Sequence, residues 1–270
     1  VPFPDIDPVA FAIGPLVIRW YALAYLAGVL LGVLYGASLL RRTSLWANNA
    51  PPFKVPDWFD FGFWAIIGIV VGGRLGYVLF YQPAYYFSRP LEIFQTWDGG
   101  MSFHGGLLGI VAAMILFTWR KGGNPLSGID MLGAVSPIGL LLGRVANFIN
   151  GELFGRETDM PWGVVFPNGG PMARHPSQLY EAALEGLVLF LVLRYVTHVA
   201  YGLRRPGLVA GIFGIGYAAS RILVETVRLP DFDKGYLYGG WLTYGMVLSV
   251  PMLLAGIALV IYSNRTAPRA

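Results

Sequence analysis

Seven apolar runs, each close to the length that crosses a lipid bilayer, constrain this chain more than any other feature. They cover 16–40, 58–81, 101–119, 129–148, 178–198, 207–227 and 239–262. About 20 apolar residues are needed to cross roughly 30 Å of hydrocarbon as a helix, which satisfies its own backbone polar groups there. The third and fourth runs are short and rich in glycine. Only 13% of the residues are charged and 56% are hydrophobic, whereas a soluble domain carries about 25% charged residues. The chain therefore reads as an all-α polytopic membrane protein, with seven transmembrane helices in a single integral membrane domain over 1–270. No basic segment with a short apolar core and a small-residue cleavage site opens it, so the first run reads as a retained span.

Lys and Arg gather on the cytoplasmic side of membrane helices. With seven spans, Arg41, Arg42, Lys54, Arg120, Lys121, Arg194, Arg204, Arg205, Arg265 and Arg269 fall on one side, and only Arg89, Arg156, Arg174 and Lys234 on the other. This predicts an outer N-terminus and a cytoplasmic C-terminus. Outside the membrane lie an arm over 1–15, an aromatic interfacial loop over 82–100, and a cap over 150–177 rich in Gly and Pro turn signals. The inner segment 41–57 reads as a Pro-rich linker. Glycines recur at four-residue spacing, as in Gly68/Gly72/Gly76 and Gly105/Gly109, which permits close helix contact.

The formal net charge is +4, but the basic residues sit in short clusters between spans and form no nucleic-acid module. The absence of cysteine excludes disulfides, thiolate metal sites and a cysteine nucleophile on this chain. His104, His175 and His198 show no metal-ligand spacing.

Polar groups inside an apolar run are costly and mark function. Arg74, Arg144 and Arg221 each lie four to seven residues inside the outer end of a span, roughly 6–10 Å deep at ~1.5 Å per residue. His104, at the start of the third run, and Tyr21, just inside the first, lie near the same level. Three arginines at one depth suggest a buried anion site. Arg144 and Asn147 share a helix face, and Asn150 and Glu152 follow where the fourth run breaks. Tyr217, Arg221, Glu225 and Arg228 form one stripe in the sixth run, in which Arg221 and Glu225 can pair. Gln178 and Glu181 face one side of the fifth, as capping and supporting groups.

Taken together these residues resemble the prolipoprotein diacylglyceryl transferase family. The likeness lies in Gly143-Arg144-x-Ala146-Asn147-Phe148-x-Asn150-x-Glu152-x-x-Gly155, in His104-Gly-Gly, in Trp20-Tyr21 and in Gly72-Gly73-Arg74. It extends to Arg174-His175-Pro176-Ser177-Gln178 and Ser220-Arg221-x-x-x-Glu225-x-x-Arg228. The resemblance implies a bacterial inner-membrane enzyme that moves the diacylglyceryl group of phosphatidylglycerol to the lipobox cysteine of a prolipoprotein signal peptide. It implies membrane lipids as the setting and no metal or dissociable cofactor. It suggests His104 as base for the thiol, with Tyr21 and Gly155 at the site; Glu152 is the alternative base. Arg144 and Arg221 would hold the phosphate, Glu225 would orient Arg221, and Asn147, Asn150 and Glu152 would take the glycerol headgroup beside Tyr217. Buried arginines also suit a transporter or channel for an anionic solute, or a noncatalytic lipid receptor.

Overall fold

The structure is a computed structural model, and it describes residues 1–229 and 236–266. Lys234 and Arg269, two of the residues that set the expected orientation, lie outside the described residues.

Strands β1 (Val9–Ile13) and β2 (Leu16–Arg19) form an antiparallel hairpin with Ala12 opposite Val17. Helix α1 (Trp20–Arg41) follows without a break. The first apolar run thus begins as strand, and the outer arm continues into the helix instead of standing apart. Helix α2 (Val55–Phe80), a short α3 (Pro83–Ser88) and two 3₁₀ turns lead to α4 (Phe103–Arg120). The Ser102 hydroxyl accepts the Gly105 N–H at the start of α4, which satisfies one of the donors a helix leaves open at its first turn. Helix α5 (Pro125–Ile149) starts the same way, with Asn124 accepting the Leu126 N–H at 2.9 Å and Pro in the first position.

The fifth run is helical throughout but changes pitch. α6 (Ser177–Glu181) opens into a π-helical segment, Ala182–Val188, before α7 (Leu189–His198). α8 (Leu208–Glu225) follows, then strands β3 (Tyr236–Tyr238) and β4 (Leu242–Thr243), and last α9 (Tyr244–Thr266). The seventh run therefore begins as a turn and a strand, because Gly239 and Gly240 adopt positive φ there.

Five helices, α1, α2, α5, α8 and α9, are long and apolar enough to cross a membrane, and α4 is a shorter apolar helix. The seventh helical segment, 177–198, carries Glu181 and Glu185, both buried.

Segment 41–57 is not a linker. Trp46 and Phe53 are buried in an aromatic cluster with Trp58, Phe61 and Phe117. The Trp46 indole donates to the Leu39 carbonyl at 3.0 Å, and the Trp58 indole to that of Val33 at 2.9 Å. Large aromatics with a satisfied N–H favour burial over solvation. At the same end of the bundle the Asp130 carboxylate, fully buried, accepts the Gly207 and Ala210 N–H groups at 2.7 and 2.8 Å and so caps α8.

α2 and α4 touch through glycine. A β-carbon at Gly109 would overlap the Gly68 carbonyl oxygen, and one at Gly72 would meet that of Gly105. Gly139 has open space at the same position. Gly109→Val should therefore destabilise the bundle by about 1–3 kcal/mol, seen as an earlier thermal transition in detergent, while Gly139→Ala should leave the transition where it was.

Candidate active site

Three helix segments meet where α5 ends. α5 supplies Arg144, Asn147 and Asn150; α6 and the π segment supply Gln178, Glu181 and Glu185; α8 supplies Tyr217, Arg221 and Glu225, with Arg228 just beyond. Each set recurs every three or four residues, which keeps it on one face. The π segment approaches α5 closely because Gly186 has no side chain; a β-carbon there would lie 2.7 Å from the Leu141 Cα.

Glu181 is the hub. Its carboxylate lies 3.1 Å from Arg144 Nε, bonds Arg221 Nη1, and lies 3.9 Å from Arg228 Nε. Glu225 binds Arg221 Nη2 at 2.7 Å and Arg228 Nη1 at 3.3 Å, and accepts the Thr243 hydroxyl at 2.7 Å. Glu185 stands 3.7 Å from Arg144 Nη2. Arg144, Arg221 and Arg228 are thus matched by Glu181, Glu185 and Glu225. Removing one partner from such a set leaves an uncompensated buried charge. The carboxylates of Glu181 and Glu185 are 0% exposed, whereas the Arg144 and Arg221 side chains keep 18% and 14%. The cations are therefore the groups a ligand can reach. Tyr217 stacks on Phe213 beside this cluster and feels the charges of Glu185, Arg221, Arg144 and Glu181.

The loop after α5 folds back on the cluster. Glu152 accepts the amides of Asn147 and Asn150 at 2.8 and 3.4 Å, and the Gln178 amide donates to its main-chain carbonyl. Leu153 adopts φ +58 and its carbonyl accepts the Ser177 hydroxyl at 3.0 Å. Gly155 donates to the His175 carbonyl at 2.8 Å and pairs with Arg228. A β-carbon on Gly155 would lie 2.6 Å from the Val227 carbonyl oxygen, so the cap meets the end of α8 only because this residue is glycine. Arg156 donates to the carbonyls of Arg228 and Glu225 at 3.0 and 3.3 Å. Tyr21, hydrogen-bonded to Tyr25 at 2.9 Å, lies within the fields of Glu152 and Arg144.

Two sequence expectations come out differently. Arg74 does not join the other two arginines. Its guanidinium donates to the carbonyls of Ile93, Gly99, Gly100 and Glu92 at 2.7, 2.6, 3.2 and 2.7 Å, and lies over the Tyr86 ring. It organises the 82–100 loop. Equal depth along separate helices did not distinguish that role from ligand binding. His104 is exposed in the first turn of α4, the helix that packs on α2, whereas the ion pairs come from α5 to α8. Glu185 escaped the sequence reading altogether. Its signal was present as Gln178, Glu181 and Glu185 on one face of an apolar run.

Buried ion clusters at the ends of apolar helices, closed by a turn-rich cap, define a membrane protein with a built anion site. The sequence profile described as prolipoprotein diacylglyceryl transferase matches residues 8–262. A relative from Brucella anthropi is 56% identical over 267 residues, 99% of this chain and 95% of that protein. One from Rhizobium meliloti is 56% identical over 271 residues, 100% and 96% of the two chains. A third, from Brucella canis, is 58% identical over 267 residues, 99% and 95%. All three carry the name phosphatidylglycerol–prolipoprotein diacylglyceryl transferase. The chain belongs to the prolipoprotein diacylglyceryl transferase family.

In the cap, burial holds the His175 imidazole below its usual value of 6.5. The unfolded chain then binds the proton more readily than the folded one, so stability rises with pH through this window. The contribution of His175 is complete above pH 6.5 and is lost as pH falls through the depressed folded value. Amide exchange in the cap should therefore quicken on acidification below pH 6.5, and His175→Gln should flatten that dependence.

Proposed function

We propose that this protein transfers the sn-1,2-diacylglyceryl group of phosphatidylglycerol to the lipobox cysteine thiol of a prolipoprotein signal peptide. A thioether forms and glycerol 1-phosphate leaves. The observation that carries the reading is the shared cluster of Arg144 and Arg221 around Glu181, with both guanidiniums partly open beside the conserved-type Asn147–Glu152 loop of the family pattern. Family membership favours this over a transporter or channel for an anionic solute, since the relatives at 56–58% identity are named for the transfer reaction.

The substrate sulfur attacks the glycerol carbon bonded to the phosphate oxygen. The C–S bond forms as the C–O bond breaks, and its electron pair stays on the phosphate. The thiolate is the nucleophile and a free thiol has pKa of about 8.5, so a base is required. His104, at the exposed start of α4, is assigned that role; imidazole titrates in the right range. The phosphate gains a second negative charge, and Arg144 and Arg221 stabilise it where it develops. Glu181 and Glu225 hold those guanidiniums in place. Asn147, Asn150 and Glu152 form the headgroup side, and Tyr21, Tyr217 and Gly155 shape its walls. The whole chain acts as one integral unit of the bacterial inner membrane. All seven helical segments cross, with the N-terminus, the 82–100 loop and the 150–177 cap outside and the C-terminus inside. The site then lies at the depth of outer-leaflet headgroups.

Mass spectrometry of a lipobox peptide incubated with the purified protein and phosphatidylglycerol tests this directly: a diacylglyceryl mass increment is expected, and an unmodified peptide refutes it. Arg144→Ala should abolish glycerol phosphate release while the protein still inserts, and His104→Gln should slow the thiol step. Normal turnover by either variant would remove that residue from its role.

A further inference from the structure

Glu185 has no place in the mechanism above, and its surroundings are unusual. It is 0% exposed, and neither of its carboxylate oxygens accepts a hydrogen bond among the described residues. Its nearest cation, Arg144 Nη2, is 3.7 Å away, beyond hydrogen-bond distance. Asn150 Oδ1 and Gln178 Oε1 are likewise buried and accept nothing. These four oxygens flank Arg144, from its own helix end and from the helix facing it. A buried acceptor without a donor costs about 1–3 kcal/mol, and more when charged. The cluster has its cations matched; what it lacks is donors.

The chemistry of a fitting donor is restricted. An ammonium group set on Glu185 would stand against the Arg144 guanidinium and be repelled. A second anion would supply no donor. A neutral hydroxyl satisfies the carboxylate and tolerates the guanidinium beside it. Glu185 also sits on the π segment, and such local insertions in helices recur at functional sites.

We propose that Glu185 is a specificity-determining residue, whose carboxylate accepts a hydroxyl of the lipid's glycerol headgroup while the neighbouring phosphate lies on Arg144. This rests on the transferase reading above. It assigns the choice of a polyol headgroup to the facing helix as well as to the loop after α5.

The test compares transfer to a lipobox peptide from phosphatidylglycerol, from phosphatidylmethanol and from phosphatidylethanolamine. Phosphatidylmethanol keeps the phosphodiester and lacks headgroup hydroxyls; phosphatidylethanolamine carries an ammonium. The native protein should prefer phosphatidylglycerol over both. A site built to bind a hydroxyl rejects an analogue without it by large factors. In Glu185→Met, kcat/KM for phosphatidylglycerol should fall by about tenfold or more beyond any fall for phosphatidylmethanol, so the preference collapses. Glu185→Gln, which keeps the shape and one acceptor, should restore part of it, and carries the test alone if the Met variant does not accumulate. Equal losses on both lipids would show a structural role or a water-filled cavity and overturn the proposal. So would an unchanged preference, or a native protein that uses phosphatidylethanolamine as well as phosphatidylglycerol. Failure of the native protein to modify the peptide with any of the three would instead refute the transferase reading.

Discussion

The Glu181 carboxylate is the point on which the site depends. It is fully buried and binds Arg144 from α5 and Arg221 from α8 while itself standing on α6. Three helix segments that are far apart in sequence thereby share one anion. In an apolar setting such an arrangement has no cheap alternative, because any helix that withdraws leaves a bare charge behind. The ion pairs therefore fix where the guanidiniums stand before any ligand arrives, and a preset donor stabilises developing charge without reorganisation.

Close approach of backbones is the second condition. Gly186 lets the π segment lie against α5, and Gly155 lets the cap meet the end of α8. The cap is then stitched to α8 through Arg156 and through the pairing of Gly155 with Arg228. The polar loop over Asn147 and Glu152 is held from one side by its own amides and from the other by Gln178. Phosphate-level cations and headgroup-level amides thus belong to one connected body.

The helices were legible because apolar length is a local property. Runs 58–81, 101–119 and 129–148 match α2, α4 and α5 within a few residues. Errors came where apolar composition does not decide conformation. Residues 16–19 form a strand paired with Val9–Ile13, and 41–57 folds into the core on Trp46 and Phe53. At the site, pairs within one helix were readable, as with Arg221 and Glu225. Pairs between helices were not. Arg74 and Arg144 look alike along the sequence, and only the fold reveals that four carbonyls of the 82–100 loop surround the first. Glu185 was hidden because its significance lies in what it lacks.

Asp130 and Glu181 engage opposite ends of the same helix. Asp130 holds the first N–H groups of α8, and Glu181 and Glu225 hold Arg221 some three turns on. Axial sliding of α8 by a single residue's rise, ~1.5 Å, would disrupt both attachments together. The helix behaves as a strut clamped top and bottom, and the altitude of Arg221 within the bundle is set from the far end as firmly as from its own.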